Sequence, residues 1–298
     1  MTIIPFHDRD GHIWFDGAMV PWREAQVHVL THGLHYGSCV FEGERIYNGM
    51  IFKSREHSLR LRRSAELLGF DIPYGAEEID EAKREVCRMA GLTNGYLRPV
   101  AWRGSEMMGV AAQQNRIHLA VACWEWPSYF TPEARMKGIS LEIARWRRPA
   151  PDTAPTEAKA AGLYMICTLS KHEAERNGRQ DALMLDYRGY VAEATGANFF
   201  MVKDGVLHTP IPDCFLNGIT RQTIIDLARR RGYPVVERHF TLDEVKDATE
   251  IFLTGSAAEV TPVSRIGDWA FTPGDICRTM IADYSDLVNG RLSIAAAA

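Results

Sequence analysis

The chain has 298 residues, 46% of them hydrophobic and 24% charged, with a formal net charge of −4; this is the composition of an ordinary globular protein, long enough for one large domain or two modest ones. The mild acidity and the absence of a long basic tract exclude an electrostatic footprint for nucleic acid or an anionic membrane, and no apolar run approaches the ~20 residues of a membrane span. The N-terminus MTIIPFHDRDGHIWF lacks a signal-peptide pattern, and the six cysteines (Cys39, Cys87, Cys123, Cys167, Cys214 and Cys277) form no CxxC pair, so a soluble cytoplasmic protein with reduced thiols is expected.

In chain order, 12–15 and 18–20 around Asp16-Gly17 predict a hairpin, and 40–47 with 50–53 around Asn48-Gly49 a second. Ser54 is a candidate N-cap for a helix through SREHSLRLRRSAELL that stops at Gly69, with Leu59, Leu61, Ala65, Leu67 and Leu68 as its apolar side. A second helix is expected over 76–90, ending at Gly91, followed by strands at 95–102 and 116–124. Strands with helices packed against them predict an α+β domain. The two prolines of WPSYFTPEA read as an interdomain linker. Beyond it, strands are expected at 139–143, 182–186, 198–203, 206–208 and 250–254, and helices at 164–177, 221–231 and 242–246. These make a second mixed domain with hairpins and no doubly wound order.

A lysine that forms a Schiff base must reach neutrality near physiological pH, through desolvation or a neighbouring cation. Of the seven lysines, Lys53, Lys83, Lys137, Lys171, Lys203 and Lys246 stand beside charges, turn glycines or helix faces and read as exposed. Lys159, in EAKAAGLY, has small neighbours that leave room for a bulky ring. Tyr164 lies five residues on. Glu193, in YVAEATGANFF, is a carboxylate that could keep a pyridine nitrogen protonated. The segment Leu216-Asn217-Gly218-Ile219-Thr220-Arg221 runs from a loop into a helix, where backbone N–H groups and the Thr220 hydroxyl suit a phosphate. Taken singly, each has a plainer reading: a surface lysine, a strand-end charge, an N-cap.

Taken in order, HYGSCVFEG, SREH, YLRPVAW, MGV, PTEAKAAGLY, YVAEATGANFF, LNGITR and TGSAAEVTPV closely resemble the branched-chain aminotransferases among the fold-type IV pyridoxal-phosphate enzymes, over almost the whole chain. The resemblance implies a two-domain α+β fold, with a small N-terminal domain at 1–126, a linker at 127–136 and a larger C-terminal domain at 137–298 carrying the cofactor lysine. It implies pyridoxal 5′-phosphate as cofactor and Lys159 as the Schiff-base lysine and proton shuttle. Tyr164 would meet the ring hydroxyl oxygen, Glu193 the ring nitrogen, and Leu216 the face of the ring. Arg55 of SREH would hold the phosphate with Gly218, Ile219, Thr220 and Ser256, the planar arginine fork suiting a bidentate contact. The implied reaction is a ping-pong transamination from leucine, isoleucine or valine to 2-oxoglutarate.

The same resemblance places Tyr36, Phe41, Tyr96, Val110, Trp126 and Tyr129 around an apolar side chain, worth roughly 1.5–3 kcal/mol when buried. Arg98 would meet the distal carboxylate of glutamate, and Tyr96 with the Ser256-Ala257 backbone the α-carboxylate. Glu44 departs from the apolar or small residue expected between Gly43 and Arg45. D-amino-acid or (R)-amine transaminases and aminodeoxychorismate lyases share the fold and are the rival readings. His28, His32 and His35 have helical spacing but no accompanying metal motif, so no metal is expected. The resemblance implies a homodimer or larger homo-oligomer, with Tyr36 and Val110 approaching the neighbouring subunit's site, and small-molecule substrates as the other partners.

Overall fold

The structure is a computed structural model that describes residues 4–126 and 136–293. Tyr129 and all but the last position of the expected 127–136 linker lie outside the described residues. The chain divides into two compact units, one of Met1–Pro127 with Ala158–Gly162, the other of Ser128–Glu157 with Leu163–Ala298. No described helix is long and apolar enough to cross a membrane. Both units mix helices with sheet, as the sequence predicts.

The first unit contains β1 (His12–Phe15), β2 (Ala18–Pro21), α1 (His32–Tyr36), β3 (Cys39–Phe41), β4 (Glu44–Tyr47), β5 (Met50–Ile51), α2 (Ser54–Leu67), α3 (Ala76–Ala90), β6 (Gly95–Arg103) and β7 (Ile117–Glu125). Its sheet runs β2-β1-β7-β6-β4-β5, with β3 also on β6. Asp16-Gly17 and Asn48-Gly49 close the two hairpins with positive φ at both positions, the conformation that tight two-residue turns require. The antiparallel β6–β7 register, Gly95 opposite Glu125 through Arg103 opposite Ile117, sorts the side chains by face. Leu97 and Ala101 are buried on one side, where the neighbouring Cys123 thiol meets the Val86 carbonyl of α3 at 3.5 Å. Tyr96, Arg98, Val100 and Trp102 point the other way.

Three expectations for this unit change. The segment 40–53 is not one hairpin, because β3 ends at Phe41 and β4 begins at Glu44. A Cβ at Gly43 would lie 2.0 Å from the Tyr96 phenol oxygen, so only glycine fits the break. Ser54 is not the N-cap of α2; Lys53 holds that place with φ +51, and the Ser54 hydroxyl donates to Asp80 at 2.9 Å. The buried side of α2 is His57, Ser58, Leu61, Ser64 and Ala65, a regular i, i+1, i+4, i+7, i+8 face. Leu59 is exposed. An apolar count misses this face because three of its five members are polar.

The third change is Lys83, which is fully buried and not solvent-exposed. Its ammonium donates to the Glu44 carboxylate at 2.9 Å and to the Ser54 carbonyl at 3.0 Å, and lies 3.6 Å from Asp80. Glu44, unexpected in its strand, is thus half of an interior ion pair. Burial pushes its carboxyl up to about 8 even though Lys83 pulls the other way.

The second unit contains β8 (Ile139–Ile143), α4 (Met165–Arg176), β9 (Asp181–Leu185), β10 (Val191–Ala194), β11 (Asn198–Lys203), β12 (Val206–Thr209), α5 (Ile219–Arg230), β13 (Val235–Glu237), α6 (Leu242–Val245), β14 (Glu250–Gly255), β15 (Glu259–Ile266), β16 (Trp269–Ala270) and α7 (Asp275–Val288). Its sheet runs β10-β9-β8-β15-β14-β11-β12-β13, and an added β10–β11 pairing turns six of these strands back on themselves. That closure consists of Glu193 opposite Asn198. Closing a sheet removes its edges and encloses a core, here Leu141, Leu183, Phe199, Met201, Leu253 and Val263 among others. On the outer side of β11 and β14, Phe200 and Phe252 stack with centroids 5.1 Å apart.

Candidate active site

The Lys159 segment belongs to the first unit, whereas the expectation placed it in the C-terminal domain. Its backbone explains this. The Lys159 carbonyl accepts from the Phe41 N–H at 3.1 Å, its N–H donates to the Ser64 hydroxyl of α2 at 3.0 Å, and Ala160 bridges to Val40. Ala158 and Ala160 are buried on either side, so the small neighbours serve to seat the segment against β3. The Lys159 ammonium lies 4.9 Å from the centre of the Phe41 ring.

Arg98 meets the same ring, its guanidinium carbon 4.8 Å from the Phe41 centroid. It also donates to the Tyr96 phenol oxygen at 3.3 Å. Arg98 Nε is buried without a hydrogen-bond partner among the described residues. A buried guanidinium donor left open among aromatic faces is a seat for an anionic group. The Trp126 ring packs against Tyr96 in a tilted arrangement with centroids 5.2 Å apart. Lys159, Phe41, Tyr96, Arg98 and Trp126 are therefore brought together within one unit.

Arg55 is placed elsewhere. Its side chain is 48% exposed and, among the described residues, makes long ion pairs of 3.7 Å to Glu77 and 3.8 Å to Asp80. Nine residues before Ser64, at about 100° per residue, it lies on the opposite side of α2 from the serine that anchors Lys159. Arg60, four residues before Ser64, shares that serine's side. The SREH motif marks only the first arginine of the helix, so sequence reasoning passes over Arg60.

Arg60 is held in a fork by fully buried Glu42, with Nε to Oε1 at 2.6 Å and a terminal nitrogen to Oε2 at 2.7 Å. His57 Nδ1–H donates to Oε2 at 2.7 Å. Burial alone would raise the Glu42 carboxyl, but Arg60 and His57 outweigh it and hold Glu42 well below the usual range. Burial pushes His57 down, against the pull of the Glu42 carboxylate. If Arg60 is the phosphate arginine, Arg60→Lys weakens pyridoxal phosphate binding to the apoprotein by at least about tenfold, since one bidentate fork is lost. Arg55→Ala changes it less than about twofold. Equal effects in a fluorescence titration would reject the assignment.

In the second unit Glu193 stands at the strand closure, largely buried. Asn198 Nδ2 donates to its Oε2 at 3.1 Å, and Arg148 Nε lies 3.4 Å from its Oε1. The Arg148 contact is an ion pair without hydrogen-bond alignment. Burial opposes the charge on Arg148, but the Glu193 carboxylate together with the Cys167, Tyr164 and Cys214 groups outweighs it and raises its pKa. Glu193 is thus fixed in place as an acceptor. The head of α5 has Gly218 at its N-cap and no side-chain cap, leaving the first N–H groups of the helix without intrahelical acceptors. Thr220 is buried in its first turn. Opposite Asn198, on the neighbouring strand β14, stands Thr254, whose hydroxyl is buried without a partner among the described residues. An uncapped helix head and an open hydroxyl suit a phosphate, and a buried carboxylate suits a protonated ring nitrogen. Tyr164 and Leu216 are half-buried in this unit, Ser256 is half-buried and Ala257 exposed at the end of β14.

Tyr36 and Val110 are not drawn into either cluster: they are 46% and 85% exposed. His32 bonds to Ser38 and the Gly109 carbonyl at 2.8 and 2.9 Å, and His35 to the Val29 carbonyl at 2.9 Å, so both serve local structure. Among the described residues, metal-like geometry occurs at Asp186, Asp213 and His239, where Arg188 already lies 2.7 Å from Asp186 and 2.9 Å from Asp213.

Residues 39–266 match the family described as amino-transferase class IV. A branched-chain-amino-acid aminotransferase of Pseudomonas aeruginosa is 43% identical over 291 residues, 95% of each chain. One of Escherichia coli K12 is 42% identical over 261 residues, covering 86% of this chain and 84% of that one. The T.th. branched-chain amino acid aminotransferase with pyridoxamine 5′-phosphate superposes with a TM-score of 0.92 at 42% identity, over 95% of this chain and 96% of that one. The same enzyme complexed with N-(5′-phosphopyridoxyl)-L-glutamate gives 0.91 at 40% identity over the same shares. With the matching residues spanning both units, the chain belongs to the amino-transferase class IV family.

Proposed function

We propose that this chain is a pyridoxal-phosphate-dependent transaminase that moves the amino group of branched-chain L-amino acids to 2-oxoglutarate. The observation that carries the reading is the Phe41 ring, which has the Lys159 amine against it and the Arg98 guanidinium against it as well. A reactive amine, an apolar wall and an anion seat in one cluster can take a leucine side chain and a glutamate side chain in turn. Names of relatives and ligands in solved structures agree: the T.th. enzyme has been seen with a glutamate adduct and with 4-methylvaleric acid.

In this reading Lys159 holds the cofactor, Arg60 and the head of α5 (Gly218, Ile219, Thr220) hold its phosphate with Ser256, and Leu216 lies against its ring. Bound pyridoxal phosphate supplies an electron sink for charge leaving the substrate α-carbon. With the cofactor bound, Lys159 would act as the neutral base that takes the substrate α-proton and returns it after the transfer. Glu193, oriented by Asn198 and Arg148, would keep the proton on the ring nitrogen. Tyr164 binds the ring oxygen. Tyr96 and the Ser256-Ala257 backbone hold the α-carboxylate, while Phe41 and Trp126 exclude water around the side chain. Tyr129 enters the same proposal from the sequence alone.

We further infer a homodimer. Val27, Val29, Leu30, Leu34 and Tyr36 are all exposed, and Val27 and Leu34 line a cleft of about 400 Å³ with Ile13, Phe15, Val100 and Trp102. An apolar surface of that extent calls for a cover, and a second copy supplies one next to Tyr36. The six free thiols suit a reducing compartment such as the cytoplasm.

One experiment tests these readings together. L-leucine, L-valine, D-alanine and (R)-1-phenylethylamine are offered with 2-oxoglutarate to the fraction whose mass sedimentation has defined. L-leucine and L-valine are turned over fastest, by a dimer or larger assembly. In Arg98→Leu the KM for 2-oxoglutarate rises at least about tenfold, a charge-assisted contact being lost, while leucine is affected less. Faster turnover of D-alanine or the amine would overturn the substrate assignment, and full activity in a monomer the dimer.

A further inference from the structure

Asn198 makes more connections than a strand residue needs. Its Nδ2 donates to Glu193 Oε2 at 3.1 Å and to the Leu216 carbonyl at 3.0 Å. Its Oδ1 accepts from the Gly218 N–H at 3.1 Å. Both ends of one buried amide are therefore satisfied, one toward the carboxylate at the strand closure and the other toward the turn that starts α5. The fit is close: a Cβ on Gly218 would lie 2.2 Å from Asn198 Oδ1. Gly218 has an ordinary φ of −63, so the glycine is required by the amide beside it and not by its own backbone. Asn198 is also the sole residue across from Glu193 where β10 and β11 pair. An amide has two donors and an acceptor in fixed geometry, which suits it to hold three points at once.

We propose that Asn198 is a positioning residue that locks the Glu193 carboxylate to the turn at Leu216–Gly218, so that the ring-nitrogen contact and the phosphate seat form one rigid unit. The inference rests on the reading of Glu193 as partner of the cofactor ring nitrogen. Without the clamp, Glu193 and the head of α5 would each keep their chemistry but lose their fixed separation, and a rigid ligand that touches both would bind less well. Asn198 touches neither substrate nor reacting atoms; it acts through the two groups it holds.

The test is a double-mutant cycle on cofactor affinity, measured by titrating the apoprotein with pyridoxal phosphate. Asn198→Asp keeps an acceptor for the Gly218 N–H, removes both donations and puts a second negative charge beside Glu193. It weakens binding by about tenfold or more, the range for a buried bond to a charged group. Glu193→Gln weakens binding by itself. In Glu193→Gln/Asn198→Asp the glutamine amide can donate to the new carboxylate, so the double variant loses at least about threefold less than the two single losses multiplied. A general loosening of the fold would leave the two losses multiplicative, within about twofold, and that result overturns the proposal. The visible band of the bound cofactor gives a second readout: Asn198→Asp moves its titration to higher pH when residue 193 is glutamate and leaves it in place when 193 is glutamine. Should Asn198→Asp apoprotein fail to melt cooperatively, Asn198→Ser replaces it in the affinity cycle under the same criterion. If Glu193→Gln changes neither affinity nor the visible band, the assignment of Glu193 falls first and this inference with it.

Discussion

Lys159→Ala abolishes transamination, lowering kcat by at least about 10⁴-fold, and the protein purifies without the visible absorption of a lysine-linked cofactor. The size follows from two losses. A positioned general base contributes roughly 10²–10⁴-fold, and the covalent attachment that presents the cofactor goes as well. Lys159 is held by backbone bonds through Phe41 and Ser64, so removing its side chain leaves the segment seated. The loss is therefore chemical, and the melting temperature of the apoprotein stays near that of the parent. Borohydride treatment of the parent protein, followed by peptide mapping, places the cofactor label on the peptide containing Lys159. Label on another lysine, or substantial turnover by Lys159→Ala, would remove the basis of the proposed function.

The second large effect is on stability. At pH 9, where Glu44 is ionised, Lys83→Met destabilises the protein by about 3–5 kcal/mol, the range for removing one partner of a buried ion pair. Lys83 and Glu44 are both fully buried, and the ammonium also serves the Ser54 carbonyl. Its loss leaves the Glu44 and Asp80 carboxyls close to one another without the cation between them. The double variant Glu44→Leu/Lys83→Met recovers most of the loss, since apolar residues of similar volume can replace a buried pair at little cost. The pH dependence has a definite sign. Burial raises the Glu44 carboxyl from 4.5 to about 8 in the folded chain, so the stability associated with its proton is complete below about 4.5 and is lost as pH rises toward 8. Removing Lys83 takes away the charge that pulls Glu44 down and widens that window upward. The deficit of Lys83→Met in chemical denaturation is accordingly larger at pH 9 than at pH 6. An equal deficit at both values, or no recovery in the double variant, would contradict this account.

Most regular elements follow from local chemistry. Asn-Gly and Asp-Gly turns, helix-stopping glycines at Gly69 and Gly91, and the apolar stripe of 76–90 act over a few residues, and the structure has hairpins or helices at each. The order of short motifs around Lys159, Glu193 and the Gly218 turn likewise points to the family, because each motif serves a local backbone need. The buried side of α2 is not legible in this way. His57, Ser58 and Ser64 pack inward only because Glu42, Asp80 and Lys159 meet them there, and those partners are remote in sequence. Lys83 reads as exposed for the same reason, its partner Glu44 lying on a strand of another part of the chain.

The choice between Arg55 and Arg60 shows the division most plainly. Local sequence suffices to establish that a helix carrying both arginines begins near residue 54, that Lys159 is flanked by residues too small to crowd a ring, and that Glu193 precedes a tight return of the chain. Helix rotation and burial decide the rest. The bond from Lys159 to Ser64 marks the side of α2 that faces the lysine segment, which Arg60 shares and Arg55 does not. The closure of β10 on β11 sets Asn198 beside Glu193. Local propensity acts within a turn or two of chain, whereas the direction in which a charged side chain points depends on which distant group can neutralise it once both have left water.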